Sequence, residues 1–162
     1  MNVSPLILLL GSNQGNSHAL LQEATTLLEL RIGKIALTSS VYKTKAWGET
    51  VQPDFLNQVV IIPYTGTAIQ ALEIVLSIEH EMGRVRSKKW GARIIDIDLL
   101  YLGDQIHRTS ELTLPHAALH LRRFTLVPLV EILPEFIHPV FNKTQQQLLD
   151  ECADQLQVLK LA

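Results

Sequence analysis

Four strand-like segments and two helical-period segments follow one another as strand, helix, strand, strand, helix, strand. That order predicts an α+β protein with a ferredoxin-like β-α-β-β-α-β core and additional C-terminal helices. Two further observations support it: the first strand-like segment is an unbroken apolar run, and glycine-rich turns stand at the element ends. With 162 residues the chain has the size of one ordinary domain, enough to bury roughly 70% of its unfolded surface. A single domain over 1–162 is therefore expected.

The elements are read in order. Leu6 to Leu10 is a buried strand that ends at Gly11-Ser12-Asn13, and Gly15-Asn16 completes the turn. Leu20, Ala24, Leu27 and Leu28 then recur at helical spacing, predicting a helix from Ser17 to about Leu30 with Asn16 or Ser17 as cap. A glycine turn before a helix can cradle phosphate, but this spacing is neither a Walker loop nor a dinucleotide fingerprint, so a plain turn is the better reading. Ile35 to Tyr42 and Phe55 to Ile62 favour strands. The loop between them carries Trp47, Gly48, Pro53 and Asp54, and Trp47 suits core packing or the face of a flat heterocycle. Thr67 to Gln70 has capping-box form and opens a helix that Gly83 ends, with Glu79 and Glu81 read as surface charges near its end. Ile94 to Leu102 is the next strand, and Gly103-Asp104 turns the chain into a short strand at Gln105 to His107. Pro128 argues for two short helical pieces around it, and Glu131 to Pro139 reads as loop. Thr144 to Gln147 opens a last helix to about Leu156, followed by a terminal strand at Val158 to Leu161.

Composition narrows the function classes. The 47% apolar and 19% charged content describes a well-folded protein rather than a disordered one, and a net charge of −2 carries no general nucleic-acid signal. The run Leu6 to Leu10 is too short to span a membrane and lacks a basic flank, so it reads as strand rather than export signal. Cys152 is the only cysteine, which excludes an internal disulfide and a cysteine zinc cluster and fits a reducing cytoplasm. A cytoplasmic monomer that engages neither nucleic acid nor membrane is expected.

The chemistry gathers between Gly83 and Leu102. Five of the fourteen Lys and Arg residues (Arg84, Arg86, Lys88, Lys89 and Arg93) fall between positions 84 and 93, which makes a local anion site. They lead into an apolar strand broken only by Asp96 and Asp98. Alternation puts Ile95, Ile97, Leu99 and Tyr101 on one face and both aspartates on the other. Two carboxylates that close raise one another's pKa, so a divalent cation between them is the simplest reason for the pair. Oxygen-only donors suit Mg²⁺, which takes one or two carboxylates and keeps waters and substrate phosphates. Beside it, arginines supply the bidentate donors that phosphate accepts. Together these point to phosphoryl-type transfer. On residues alone, a different phosphoryl or nucleotidyl transferase, or a module that binds a nucleotide without consuming it, stays open, and His116 could be a ligand, a phosphate donor or a surface histidine.

Six motifs, GSN at 11–13, QPDFLN at 52–57, GRVR at 83–86, WGAR at 90–93, DIDLL at 96–100 and LPH at 114–116, together resemble the 6-hydroxymethyl-7,8-dihydropterin pyrophosphokinases of folate biosynthesis. The resemblance runs in the family's order from Leu6 to about Pro139. It implies transfer of a pyrophosphoryl group from MgATP to the hydroxymethyl oxygen of a reduced pterin, with release of AMP. It also implies that Asp96 and Asp98 hold two Mg²⁺ ions and that Arg84, Arg93 and Arg122 face phosphate, with Arg86 in the same loop. Glu79, Thr113 and His116 match positions around the nucleotide. Thr44, Trp47, Phe55, Asn57 and Phe124 match the pterin site, the two phenylalanine rings sandwiching the heterocycle and Asn57 reading its edge. Asp96 also borders the pterin. Trp90 belongs to the loop that closes as a lid once both substrates are bound. Four positions depart from the family's pattern: Lys45 and Ala92 stand where proline is frequent, Ala117 where a larger residue occurs, and Arg123 where a small one is familiar.

Overall fold

The computed structural model describes residues 2–45, 52–83 and 94–161. Along the chain the elements are β1 (Ser4–Ser12), α1 (Ser17–Arg31), β2 (Leu37–Thr38), β3 (Tyr42–Thr44), β4 (Phe55–Tyr64), α2 (Ala68–Glu81), β5 (Asp96–Leu102), β6 (His107–Arg108), β7 (Thr113–Leu114), a 3-10 turn (Leu119–Leu121), α3 (Arg123–Ile132), α4 (Gln145–Glu151) and β8 (Val158–Lys160). The main sheet has the order β5-β1-β4-β3-β8, with β2 also on β4, and every pairing in it is antiparallel. The predicted strand and helix order therefore holds, in a mixed α/β structure with helices on both faces of an antiparallel sheet.

The unbroken apolar character of β1 follows from its place. It lies between β4 and β5, and both of its faces pack on apolar clusters. Leu6, Leu8 and Leu10 point into one apolar cluster with Leu21, Ala24 and Leu28 of α1 and Ala71, Val75 and Ile78 of α2. Ile7 and Leu9 point into the other, with Leu126 and Leu129 of α3 and Leu148 of α4. Both helices on the first face start as their sequences predict. Asn16 accepts from Ala19 N at 3.1 Å, and Thr67 and Gln70 form a reciprocal capping box.

Several expectations change. The strand predicted over Ile35 to Tyr42 is split into β2 and β3. Thr38 faces Val60 and Tyr42 faces Asn57, so four steps on one strand match three on the other, as in a bulge. Ser39 fills the interruption: its Oγ accepts from Val59 N at 2.9 Å. In β5, Leu99 faces Leu8 while Tyr101 faces Ile7. The extra residue sends Tyr101 to the α3–α4 side, not to the side of Ile95, Ile97 and Leu99 as simple alternation predicted. The strand predicted at Gln105 to His107 is displaced: β6 is His107–Arg108, sharing only His107 with that span, and it pairs with β7 in a separate hairpin.

Pro128 does not divide its segment. A 3-10 turn precedes one helix, α3, which contains Pro128 and extends to Ile132, into the span predicted as loop. Thr125, Leu126, Pro128 and Leu129 are all buried, so packing outweighs the lost backbone hydrogen bond. The last helix stops at Glu151 rather than near Leu156. Beyond it Asp154 accepts from Arg123 N and Leu156 N, both at 3.0 Å, which ties the chain down as a cap for α3. The terminal strand forms as predicted and pairs with β3.

Candidate functional site

One end of the main sheet gathers the polar residues. There β1 and β3 finish while β4 and β5 begin, so the register places Asp96, Gly11, Asn57 and Tyr42 in a single row across four strands. Residues opposite one another in such a row share a face. Asp96 and Asp98 alternate with buried Ile95, Ile97 and Leu99 and are themselves half-buried. They share the face that α3 and α4 cover further along the sheet. Among the described residues no group of three or more His, Cys, Asp and Glu side chains could hold a metal ion. Two carboxylates on an accessible face fit a hard cation that completes its shell with water and substrate oxygen.

Glu79 corrects the reading from helix position, not the nucleotide-side place that the resemblance implies. Predicted as a surface charge, it is 3% exposed, and its Oε2 accepts from Ile97 N at 2.7 Å. Ile97 stands between the two aspartates, and β1 pairs with β5 along one side. Glu79 thus reaches from α2 to the backbone amide between the paired aspartates. Glu81 keeps the predicted surface role and pairs with Arg31 of α1.

Asn57 and Thr44 are 3% exposed, and Asn57 Nδ2 donates to Thr44 Oγ1 at 3.1 Å. That bond uses one amide hydrogen and fixes which way the amide faces. Phe55 lies two residues earlier on the same side of β4. Asn13, which the sequence marked only as part of a turn, is 2% exposed. Its Nδ2 donates to Gln52 Oε1 at 2.9 Å and Pro53 O at 3.0 Å, tethering the segment that leads into Phe55. Its place in the GSN motif was the available signal, but its partner lies forty residues on.

His116 follows β7, with its N–H on Leu100 O at 3.0 Å. Its Nδ1 accepts from Ala118 N at 3.1 Å, which assigns the ring proton to Nε2. Burial first and then the neighbouring Arg122 push its pKa down to about 4, with Asp96 opposing the drop. His116, Arg122 and Asp96 therefore form one electrostatic neighbourhood, with a neutral imidazole donor in it. Arg122 stands before α3, its guanidinium carbon 5.7 Å from the centroid of Phe124. Phe124 is in the first turn of α3 and packs against the apolar cluster below.

The described site thus brings Asp96, Asp98, Asn57, Thr44, Phe55, His116, Arg122 and Phe124 to one end of the sheet, and Glu79 to the edge strand. Thr113 is exposed on β7 opposite Arg108. Trp47, Arg84, Arg86, Trp90, Arg93 and Ala92 lie outside the described residues. Of the other departures, Lys45 and Ala117 are exposed, and Arg123 gives its backbone N–H to Asp154.

An antiparallel sheet that ends in paired carboxylates beside a neutral histidine donor, an arginine and a buried amide defines the class, a mixed α/β domain with a polar site at one sheet end. Residues 7–134 match the sequence model of the 7,8-dihydro-6-hydroxymethylpterin-pyrophosphokinase (HPPK) family, and the chain belongs to that family. It is 38% identical over 143 residues to the 2-amino-4-hydroxy-6-hydroxymethyldihydropteridine pyrophosphokinase of Synechocystis, covering 88% of this chain and 73% of that protein. The enzymes of the same name from Methylorubrum extorquens and Aquifex aeolicus are 44% and 40% identical, over 79% and 88% of this chain and 82% and 88% of theirs. Among solved structures, wild-type Plasmodium falciparum HPPK-DHPS with pterin and p-hydroxybenzoate superposes with a TM-score of 0.73 at 19% identity over 93% of this chain. This chain spans 43% of that longer protein, and the likeness speaks to fold.

Proposed function

We propose that this chain transfers the pyrophosphoryl group of MgATP to the hydroxymethyl oxygen of 6-hydroxymethyl-7,8-dihydropterin, giving the pterin diphosphate and AMP in folate biosynthesis. The observation that carries this reading is the shared row of Asp96 and Asn57 on one open sheet end. It brings a carboxylate for the metal–phosphate half beside an amide for the heterocycle.

In this reading Phe55 and Phe124 sandwich the pterin and Asn57 reads its hydrogen-bonding edge, its amide orientation set by Thr44; Trp47 completes the pocket. Asp96 and Asp98 would hold two Mg²⁺ ions, and the chemistry these would supply is neutralisation of phosphate charge and orientation of the attacking hydroxyl. Arg84, Arg93 and Arg122 donate to phosphate oxygens, and Arg86 adds to them. Neutral His116 donates its Nε2–H to the nucleotide without adding a charge, while Glu79 and Thr113 border the same ligand. Trp90 closes over the site and excludes water. The pterin oxygen forms a bond to the β-phosphorus, the bond from that phosphorus to the bridging oxygen breaks, and AMP departs with the electron pair. The hydroxyl proton passes to solvent, and no side chain is assigned as general base. The chain acts as a cytoplasmic monomer.

Incubating the chain with ATP, Mg²⁺ and the dihydropterin, and then omitting each in turn, tests this. AMP forms only in the complete mixture. AMP release independent of the pterin, or pterin binding without AMP release, would remove the assignment.

A further inference from the structure

Gly11 is the residue between the two halves of the site. Its neighbours across the strands are Asp96 on β5 and Asn57 on β4, so it forms the floor between a carboxylate and an amide roughly two strand spacings, about 10 Å, apart. A Cβ placed on Gly11 would lie 2.9 Å from Asn57 Oδ1, 3.8 Å from Phe55 Cδ1 and 3.9 Å from Leu56 O. The first distance is shorter than real Cβ contacts allow, and the atom struck cannot yield easily. Asn57 is buried, and its amide is held from the other side by the bond to Thr44 Oγ1. Backbone conformation is not the reason for glycine here, because Gly11 lies within a regular paired strand. The demand for glycine comes from the neighbouring amide.

We infer that Gly11 is a positioning and specificity residue. By lacking a side chain it lets Asn57 present its amide Oδ1 and leaves a flat passage toward Asp96, through which the hydroxymethyl arm of a planar bicyclic amide substrate extends. This rests on the pterin reading of the site. It gives a role to the first residue of the GSN motif, which stood only for a turn. A methyl at position 11 acts by displacing the amide. The loss therefore falls on the heterocycle, while nucleotide binding is spared.

The test is a double-variant cycle on the full chain with Gly11→Ala and Asn57→Ala, measuring dihydropterin affinity, affinity for a nonhydrolysable MgATP analogue and the thermal midpoint. One added methyl at a tight contact is expected to weaken dihydropterin binding by about tenfold or more while the analogue binds as in the parent. Because the methyl acts through Asn57, the double variant binds the pterin no more weakly than Asn57→Ala alone. Should Gly11→Ala fail to fold, Asn57→Ala removes the struck atom and the double variant regains the fold. Unchanged pterin affinity in Gly11→Ala, losses that multiply in the double variant, or equal loss of analogue binding would overturn the inference. If the parent chain itself neither binds nor consumes the dihydropterin, the functional reading fails instead, and the two failures are told apart by that control.

Discussion

At position 96 or 98 a change from Asp to Asn keeps size and one acceptor oxygen but removes the charge a cation needs. Asp96→Asn and Asp98→Asn should each lower AMP formation by about a hundredfold or more, on the scale of losing one electrostatic contact to a reacting phosphate. The circular dichroism spectrum should stay unchanged. Full activity in both variants would remove the metal assignment. This pair was legible in sequence because strand alternation is a short-range rule, and two aspartates in an apolar run break it visibly. The resemblance marked Glu79, but its burial was not legible, because helix position suggests exposure while its partner, Ile97 N, is set by how α2 crosses the sheet edge. Glu79→Ala should leave that buried N–H without its acceptor and cost about 1–3 kcal/mol. Glu79→Gln keeps an acceptor oxygen and should recover most of that loss in a urea titration. Equal destabilisation by both variants would show that the charge, not the hydrogen bond, is what matters there.

Among the elements, α3 links stability to the site most directly. It opens with Arg122 and Phe124 at its start, has no capping side chain of its own, and relies on Asp154 at Arg123 N. Asp154→Ala should cost about 1 kcal/mol, the ordinary value of a lost cap. Because the frayed turn carries Phe124, the KM for the dihydropterin should rise more than that for ATP. Equal changes in both KM values would mean that the cap does not act through the pterin side. The strand order and the two long helices were legible because caps and periodicity are local. The split of β2 from β3, the flipped Tyr101 and the uninterrupted α3 were not. Each depends on a partner strand or a burying layer that short-range patterns do not contain, and Pro128 shows packing prevailing over propensity. Asp154 lies thirty-one residues from the backbone group it caps, so no local motif announces it.

In the whole molecule, the layer of α3 and α4 is closed by the turn from Phe136 to Thr144, and its histidine sets how the fold meets acid. His138 is 3% exposed, stacks on Phe141 with centroids 4.3 Å apart, and meets Tyr101 edge-on at 5.6 Å. Its Nδ1 accepts from Val140 N at 3.1 Å and Phe141 N at 3.2 Å, so a proton there would end both bonds. Burial, and then the neighbouring His120, push its pKa from 6.5 down to about 4. Between those values the unfolded chain binds this proton and the folded chain does not. Stability therefore falls as pH drops from about 6.5 to about 4, and the loss from this group is complete below that. His116, also lowered to about 4, contributes in the same direction over the same window. For His138 alone the loss should be on the order of 1–3 kcal/mol, read as a lower urea midpoint at pH 4.5 than at pH 7. His138→Asn keeps an acceptor for the turn but cannot take up the proton, so its urea midpoint should fall less over that range. Carboxylates that titrate at low pH are common to both proteins and cancel in the comparison. An equal fall in parent and variant would place the acid sensitivity elsewhere than in the turn that closes the α3–α4 layer.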